Sequence, residues 1–359
     1  MQKRTSLLLI LLISLIASIK LYAQDSSGEQ SVPKFEYIID FSANFDNLEA
    51  SGPYEASRTL FGAKLAPQIG IKVAENSKIM GGIDLIQNFG DSIFPSHIDY
   101  TLYYRYDGKK HGALFGSFPR QYSIMSYPRA FFREDYYFYN TNIEGMMFQL
   151  KDEDCATSAE FFYDWYGLNQ TLRIDEFLLV GAIRYKIFDG DRFNIGGDLL
   201  LNHFKNDYYL EDSYLLERFQ SDLFISSDLS NFFFKKLDKL ELTLSMLTSS
   251  EHKRVLETET SWQHSIGGEI GLNGEYKGFG VQNDLYIGHG QMIYYDQYGT
   301  EFYPGSTFYA AKRYNRSNFY YEWKNRLVTI CAQMIFHFTP DRVANQQMIT
   351  LSVNLGEVF

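Results

Sequence analysis

Cysteine is almost missing from this sequence: Cys155 and Cys331 are the only two in 359 residues. They stand far apart and outside any metal-ligand spacing, so neither a disulfide framework nor a cysteine metal site is expected. Proline is scarce, at 8. After the first two dozen residues no second long apolar run occurs, which excludes a helical membrane protein. Positive charge is short as well. Lys and Arg total 33 against 44 Asp and Glu, a formal charge of −11. A chain this acidic is a poor partner for nucleic acid, whose phosphates demand basic side chains. None of the seven histidines stands in a pair such as HExxH, and no Walker motif or dinucleotide fingerprint occurs. No cofactor and no metal are therefore expected.

What is present begins with Lys3 and Arg4, an apolar stretch from Leu7 to Ile19, and Leu21-Tyr22-Ala23-Gln24. A basic start, an apolar centre and a small residue at the cut have the layout of a secretory signal peptide. Cleavage is placed after Ala23. An uncleaved anchor is the competing reading, but the run is shorter than the ~20 residues a spanning helix needs. No Cys follows the cut, so nothing suggests a lipoprotein. Losing residues 1–23 removes Lys3, Arg4 and Lys20, and the formal charge falls from −11 to −14. Residues 24–34 then read as a short tether, with no plug domain before the remainder.

Aromatic residues make up 17 % of the chain, as 28 Tyr, 30 Phe and 3 Trp. They favour strands and collect at membrane interfaces. Period-two alternation, the signal of half-buried strands, is clear in several places. Phe35, Tyr37, Ile39, Phe41, Ala43 and Phe45 oppose Glu36, Asp40, Ser42 and Asn44. Val328, Ile330, Ala332, Met334, Phe336 and Phe338 oppose Thr329, Gln333 and His337. About sixteen strands follow: 35–45, 59–73, 78–89, 96–106, 110–118, 142–151, 156–165, 175–187, 192–205, 217–229, 237–248, 261–274, 278–289, 317–324, 326–338 and 346–359.

The connections fall into two classes. Short ones carry the Gly, Asp and Asn of tight hairpins, as in Asp107-Gly-Lys109 and Phe188-Asp-Gly-Asp191. Longer ones span 46–58, 119–141, 206–216, 249–260 and 290–316. The two classes mostly alternate, as tight periplasmic turns and longer outside loops do in outer-membrane barrels. An even strand number puts both termini in the periplasm. A propeller would show a blade repeat, and none is found. A soluble sandwich would not gather aromatics near strand ends, where Phe45, Tyr104, Tyr106, Phe193, Trp262, Trp323 and Phe338 lie. The expected fold is thus all-β, a transmembrane antiparallel up-and-down β-barrel of about 16 strands over residues 35–359.

The last strand, Met348 to Phe359, sets Leu351, Val353, Leu355 and Phe359 on one face. In this it resembles Gram-negative outer-membrane barrels of the porin-like kind. The resemblance implies that these four residues form the insertion signal read by the barrel-assembly machinery. Glu357 departs from the pattern, which is usually apolar or aromatic there. The resemblance covers the mature chain as architecture only. Two further segments, Gly116-Ser-Phe-Pro119-Arg120 and Phe162-Tyr-Asp164-Trp165-Tyr-Gly167, look like elements of uncharacterised barrels and point to no substrate.

With apolar faces toward lipid, the opposite faces line the lumen. Asp40, Asp84, Asp99, Asp198, Asp222, Glu269 and Asp284 are its acidic candidates, beside Glu36, Glu160, Asp164, Glu176, Asp228, Glu241 and Glu322. Lys64, Lys72, Arg105, Arg184, Lys186 and Lys324 are the basic ones, about half as many. Carboxylates in a wet pore favour cations; equally, such charges pair across strands. Loop 119–141 is too long for an ordinary connection and too aromatic for a floppy one. By resemblance to porins it narrows the lumen, with Arg120, Arg129, Arg133, Glu134 and Asp135 as constriction candidates; an ordered outside cap is the alternative. Loop 290–316, rich in tyrosine, is read as packing on itself at the rim rather than binding sugars.

Three functions remain. The first is a porin-like channel for small hydrophilic solutes, weakly cation-preferring. The second is a closed structural or adhesion barrel binding a partner through its loops. The third is a lipid-acting enzyme with catalytic groups on the lipid face. For the third, His264 followed by Ser265 is the only local pair, and neighbours in a strand point to opposite faces. The expectation is therefore a non-enzymatic barrel whose partners are the outer-membrane bilayer, the assembly machinery and small solutes.

Overall fold

The computed structural model describes residues 34–152, 156–166, 173–187, 193–206, 214–230, 237–255 and 260–358. The signal peptide and tether expected over 1–23 and 24–34 lie outside these residues, but for Lys34, as do Cys155 and Phe359. Sixteen strands are present: β1 (Lys34–Glu49), β2 (Arg58–Ala74), β3 (Ser77–Asn88), β4 (His97–Asp107), β5 (His111–Pro119), β6 (Asn142–Asp152), β7 (Thr157–Trp165), β8 (Arg173–Lys186), β9 (Phe193–Asn206), β10 (Tyr214–Asp228), β11 (Lys239–Val255), β12 (Gln263–Tyr276), β13 (Phe279–Gly288), β14 (Arg313–Lys324), β15 (Val328–Phe338) and β16 (Val343–Val358). Each pairs antiparallel with its sequence neighbours, and β1 closes on β16 with Ala43 opposite Leu351. Closure leaves no free sheet edge, the condition for a sheet to lie in hydrocarbon.

The alternation read from the sequence sorts the two faces. Ile69, Leu199, Leu223, Leu244, Ile270, Leu272 and Ile349 are exposed on the outside. Asp40, Asp84, Glu160, Asp164, Asp198, Asp222 and Asp284 are buried on the inside. An apolar exterior around a polar interior inverts a soluble protein and suits a bilayer. The chain is an outer-membrane β-barrel, and its belt meets lipid. Phe279, Tyr321 and Trp323 are exposed at the tight-turn end, and Trp262 at the other.

Leu351 sits in that belt, between Ala43 of β1 and Ile330 of β15. Leu351→Arg is expected to impair assembly, because a charge near the midplane of such a barrel costs ~2–4 kcal/mol. Heat-modifiable electrophoretic mobility of the refolded variant measures this; normal assembly would place Leu351 at another depth.

Two boundaries differ from the sequence reading in a way that matters. β11 runs on to Val255, past the expected end at 248. Its last turns, Ser249-Ser250-Glu251-His252-Lys253-Arg254, are polar on both faces, so alternation fades although strand pairing continues. β14 starts at Arg313 rather than 317, for the same reason.

Candidate functional site

The connection after β5 turns inward. Gly116 takes φ 116°, a conformation L side chains rarely adopt, and Phe118, Pro119 and Arg120 beyond it are buried. Arg120 is 2 % exposed and pairs with Asp164, also 2 % exposed. It also donates to the carbonyls of Asn140 (2.9 Å) and Asn142 (2.8 Å). The two segments with no assigned role in the sequence thus meet through one buried ion pair, and Tyr166 adds a hydroxyl contact to Tyr136.

Glu160 of β7 fixes the next stretch. It accepts hydrogen bonds from the Ser123 hydroxyl (2.6 Å), the Ile124 amide (2.8 Å), the Tyr127 hydroxyl (2.7 Å) and the Gln149 amide group (2.8 Å). Asp40 accepts from Gln121 at 2.6 Å, and Asp84 from Thr141 and Asn142 at 2.9 Å each. Across the barrel Arg129 donates to Glu134 (2.8 Å), Asp284 (3.1 Å) and Gln282 (2.9 Å). Arg316 lies 3.0 Å from Glu134 on the other side. Burial opposes ionisation of Glu134, but Arg316 and Arg129 hold its carboxyl down at about 2. Arg133 turns to Asp135 (2.9 Å) within the same loop, and Arg58 reaches Asp135 at 3.6 Å.

The remaining lumen candidates sit apart from this network or at its margin. Asp99 bonds His97 at 2.8 Å. Asp198 holds Arg184, whose guanidinium also donates to the carbonyl of Ser126. Asp222 is buried, with one carboxylate oxygen unpartnered. Glu269 accepts from Tyr309.

Tyr309 belongs to the connection after β13, whose rings pack on one another as the sequence suggested, Tyr298 on Phe302 and Tyr309 on Tyr314 of β14, but inside the barrel rather than at its rim. Tyr303, Tyr309 and Thr307 are buried inside. Tyr303 donates to Glu251 at 2.6 Å, above the ring-stacked guanidinium of Arg218. The two inward loops bond each other through Arg133 N–H to Pro304 O (2.9 Å) and Ser306 N–H to Arg129 O (2.8 Å). Sequence patterning had no means of pairing loops from opposite walls.

The outer face carries a different constellation. Even-numbered residues of β11 and β12 point toward lipid, as exposed Leu244, Met246, Ile266 and Ile270 show. Ser250 and His264 are direct partners in the β11–β12 register. The Ser250 hydroxyl lies 2.8 Å from His264 Nδ1. Ser265, by contrast, is buried on the inner face. Beside the pair, Glu217 of β10 binds Arg254 at 2.8 Å and lies 3.5 Å from His252. The His252 ring stacks on Trp262, with ring centres 5.0 Å apart, and His203 stacks on Phe177 at 4.8 Å. All these residues lie toward the strand ends joined by the long loops, the outer-leaflet side. A serine hydroxyl that donates to a histidine nitrogen is the minimal activated nucleophile. Among the described residues no carboxylate hydrogen-bonds to His264.

A family model described as lipid A 3'-O-deacylase-type matches residues 29–355. No curated protein matches the chain in sequence. Among solved structures, the chain is similar to Acinetobacter baumannii OccAB4, at 7 % identity, covering 92 % of this chain and 100 % of that one, with a TM-score of 0.44. An anion-selective porin from Comamonas acidovorans is 13 % identical over 90 % and 99 % of the two chains, with a TM-score of 0.48. Pseudomonas aeruginosa OpdK with vanillate is 7 % identical over 90 % and 99 %, with a TM-score of 0.43. The family match overturns the expectation of a non-enzymatic barrel. That expectation rested on His264 having no usable neighbour in sequence. Its partner is fourteen positions away, in a stretch read as a loop, and strand pairing alone brings it near.

Proposed function

The chain belongs to the lipid A 3'-O-deacylase-type family, and from that membership we propose that it hydrolyses an ester-linked acyl chain of an outer-leaflet lipid. The observation that carries this reading is the Ser250–His264 hydrogen bond on the lipid-facing wall. Ser250 Oγ attacks the ester carbonyl carbon while His264 takes its proton. The ester C–O bond breaks and His264 returns the proton to the departing hydroxyl. Water then attacks the acyl-serine with His264 again as base, releasing the fatty acid and restoring the hydroxyl. The apolar wall beside the pair, with Leu244, Met246 and Ile266 exposed, is a surface along which an acyl chain lies without leaving hydrocarbon. The purified barrel in mixed micelles with lipid A is expected to release 3'-linked fatty acid, measured by mass spectrometry. Intact lipid A after prolonged incubation would sink the reading.

A second reading concerns the lumen, and its support is the carboxylate-rich wall. It is a narrow passage for small hydrophilic solutes, weakly cation-preferring, constricted by loop 119–141. Its selectivity should fall at high salt, where screening shortens to ~3 Å at 1 M. Assembly rests on the terminal strand: Leu351, Val353, Leu355 and Phe359 form the proposed signal for the assembly machinery. Deleting Phe359 should lower outer-membrane yield in cells and leave degraded chain in the periplasm; unchanged yield would remove that role.

A further inference from the structure

Between the wall of β1, β2, β3 and β16 and the inward loop after β5 lies a cavity of about 270 Å³. Its wall departs from the parts of the lumen where Arg120, Arg129, Arg184 and Arg316 are matched to carboxylates. Lys64 lines this cavity and makes neither a hydrogen bond nor an ion pair within 4 Å among the described residues. Asn44 and Gln68 line it too, each 3 % exposed. The Nδ2 group of Asn44 and the Nε2 group of Gln68 have no partner. Buried amide donors are rarely left unmade, because an unsatisfied one costs ~1–3 kcal/mol.

Asp40 and Asp84 are on the same wall. Each gives one oxygen to the loop, Oδ2 to Gln121 and Oδ2 to Thr141 and Asn142. The other oxygen of each accepts no hydrogen bond among the described residues. Glu134 also lines the cavity, but Arg129 and Arg316 already neutralise it. The chamber therefore presents one ammonium that Asp84 and Asp40 attract but do not bond, and two unpartnered amide donors, beside two half-used carboxylates. A plain anion would meet Asp40 and Asp84, and a plain cation would meet Lys64. A molecule carrying both charges satisfies the whole set.

We propose that this chamber binds a small zwitterion, an amino-acid-like solute bearing a carboxylate and a cationic amine. The carboxylate takes the donors of Lys64, Asn44 and Gln68, and the amine lies against Asp40 and Asp84. The site depends neither on hydrolysis at Ser250 nor on passage through the lumen, because occupancy is measured on protein in detergent.

The test is equilibrium dialysis of the detergent-solubilised full chain with labelled L-alanine, competed by acetate and by ethylamine. L-Alanine is expected to bind saturably, with each competitor weaker by about tenfold or more, ~1.4 kcal/mol. Lys64→Met should weaken L-alanine by about the same factor while circular dichroism and heat-modifiable mobility stay unchanged. If Lys64→Met does not fold, Gln68→Leu replaces it with the same expectation: it removes the unpartnered Nε2 group together with the Oε1 that accepts from Tyr103, whose hydroxyl keeps its contact with Tyr122. No saturable binding, acetate or ethylamine competing as well as L-alanine, or a folded variant that binds like the parent overturns the proposal.

Discussion

Ser250→Ala is expected to lower fatty-acid release from lipid A by ~10³-fold or more while leaving the barrel folded. The size of the effect follows from what is removed. Losing the nucleophile of a serine–histidine pair leaves only binding and positioning, a residual far below the parent rate. His264→Ala should cost nearly as much, and the double variant little more than either, because the two side chains act as one unit. Folding is spared because Ser250 is on the outer wall, where its hydroxyl bonds only the His264 ring. Its backbone pairs with Phe219 of β10 and His264 of β12, and alanine leaves that pairing in place. A serine-directed phosphonate should label the parent and not Ser250→Ala. His252→Ala separates the pair from its neighbours: it breaks the stack on Trp262 and the contact with Glu217, so a smaller loss is expected. A Ser250→Ala barrel that is folded and fully active would remove the serine from the chemistry. An equal loss from His252→Ala would move the base to that residue.

The fold was legible because its signal is local. A closed barrel writes its two faces into every strand with a period of two, and lipid and lumen keep the faces chemically distinct. Strands such as β1, β15 and β16 therefore stood out. The ends of β11 and β14 did not, because the outward face there leaves hydrocarbon for the headgroup zone and polar residues occupy both sides. The Ser250–His264 pair falls within that blurred end. A register extended through a β11–β12 hairpin would have placed the two residues side by side. The lumen network was only half legible. Arg120, Arg129, Arg133 and the wall carboxylates were readable as charges, but their matching depends on how two loops fold together. Nothing in the sequence ties Arg120 to Asp164 rather than to Asp40, or brings Pro304 to Arg133. The unmatched donors at Lys64, Asn44 and Gln68 were invisible for the same reason: a missing partner is a property of three-dimensional packing.

Removal of residues 122–138 should raise single-channel conductance several-fold in planar bilayers. The deletion takes out the ring-bearing stretch from Tyr122 to Phe138 and keeps Arg120 with its buried partner Asp164. It also breaks both backbone bonds that tie the loop to the chain after β13, so the second inward loop loses a support. The strand pairing of the wall is untouched, since each strand pairs only with its two neighbours, while Glu160 loses its Ser123, Ile124 and Tyr127 donors. Substitution of the arginines has to respect burial. Arg120→Ser would strand Asp164 at 2 % exposure, and breaking a buried pair costs ~3–5 kcal/mol, so misassembly is expected there. Arg129→Ser with Arg133→Ser is the cleaner variant. It frees Glu134, Asp284 and Asp135 from those two cations, while Arg316 still faces Glu134. The reversal potential under a salt gradient should then shift toward stronger cation preference, and the shift should shrink at 1 M salt, where the screening length is ~3 Å. A barrel that stays silent after the loop is removed would mean that the lumen is no passage. A conductance that ignores the deletion would mean that the constriction lies elsewhere, with the chain after β13 as the remaining obstruction.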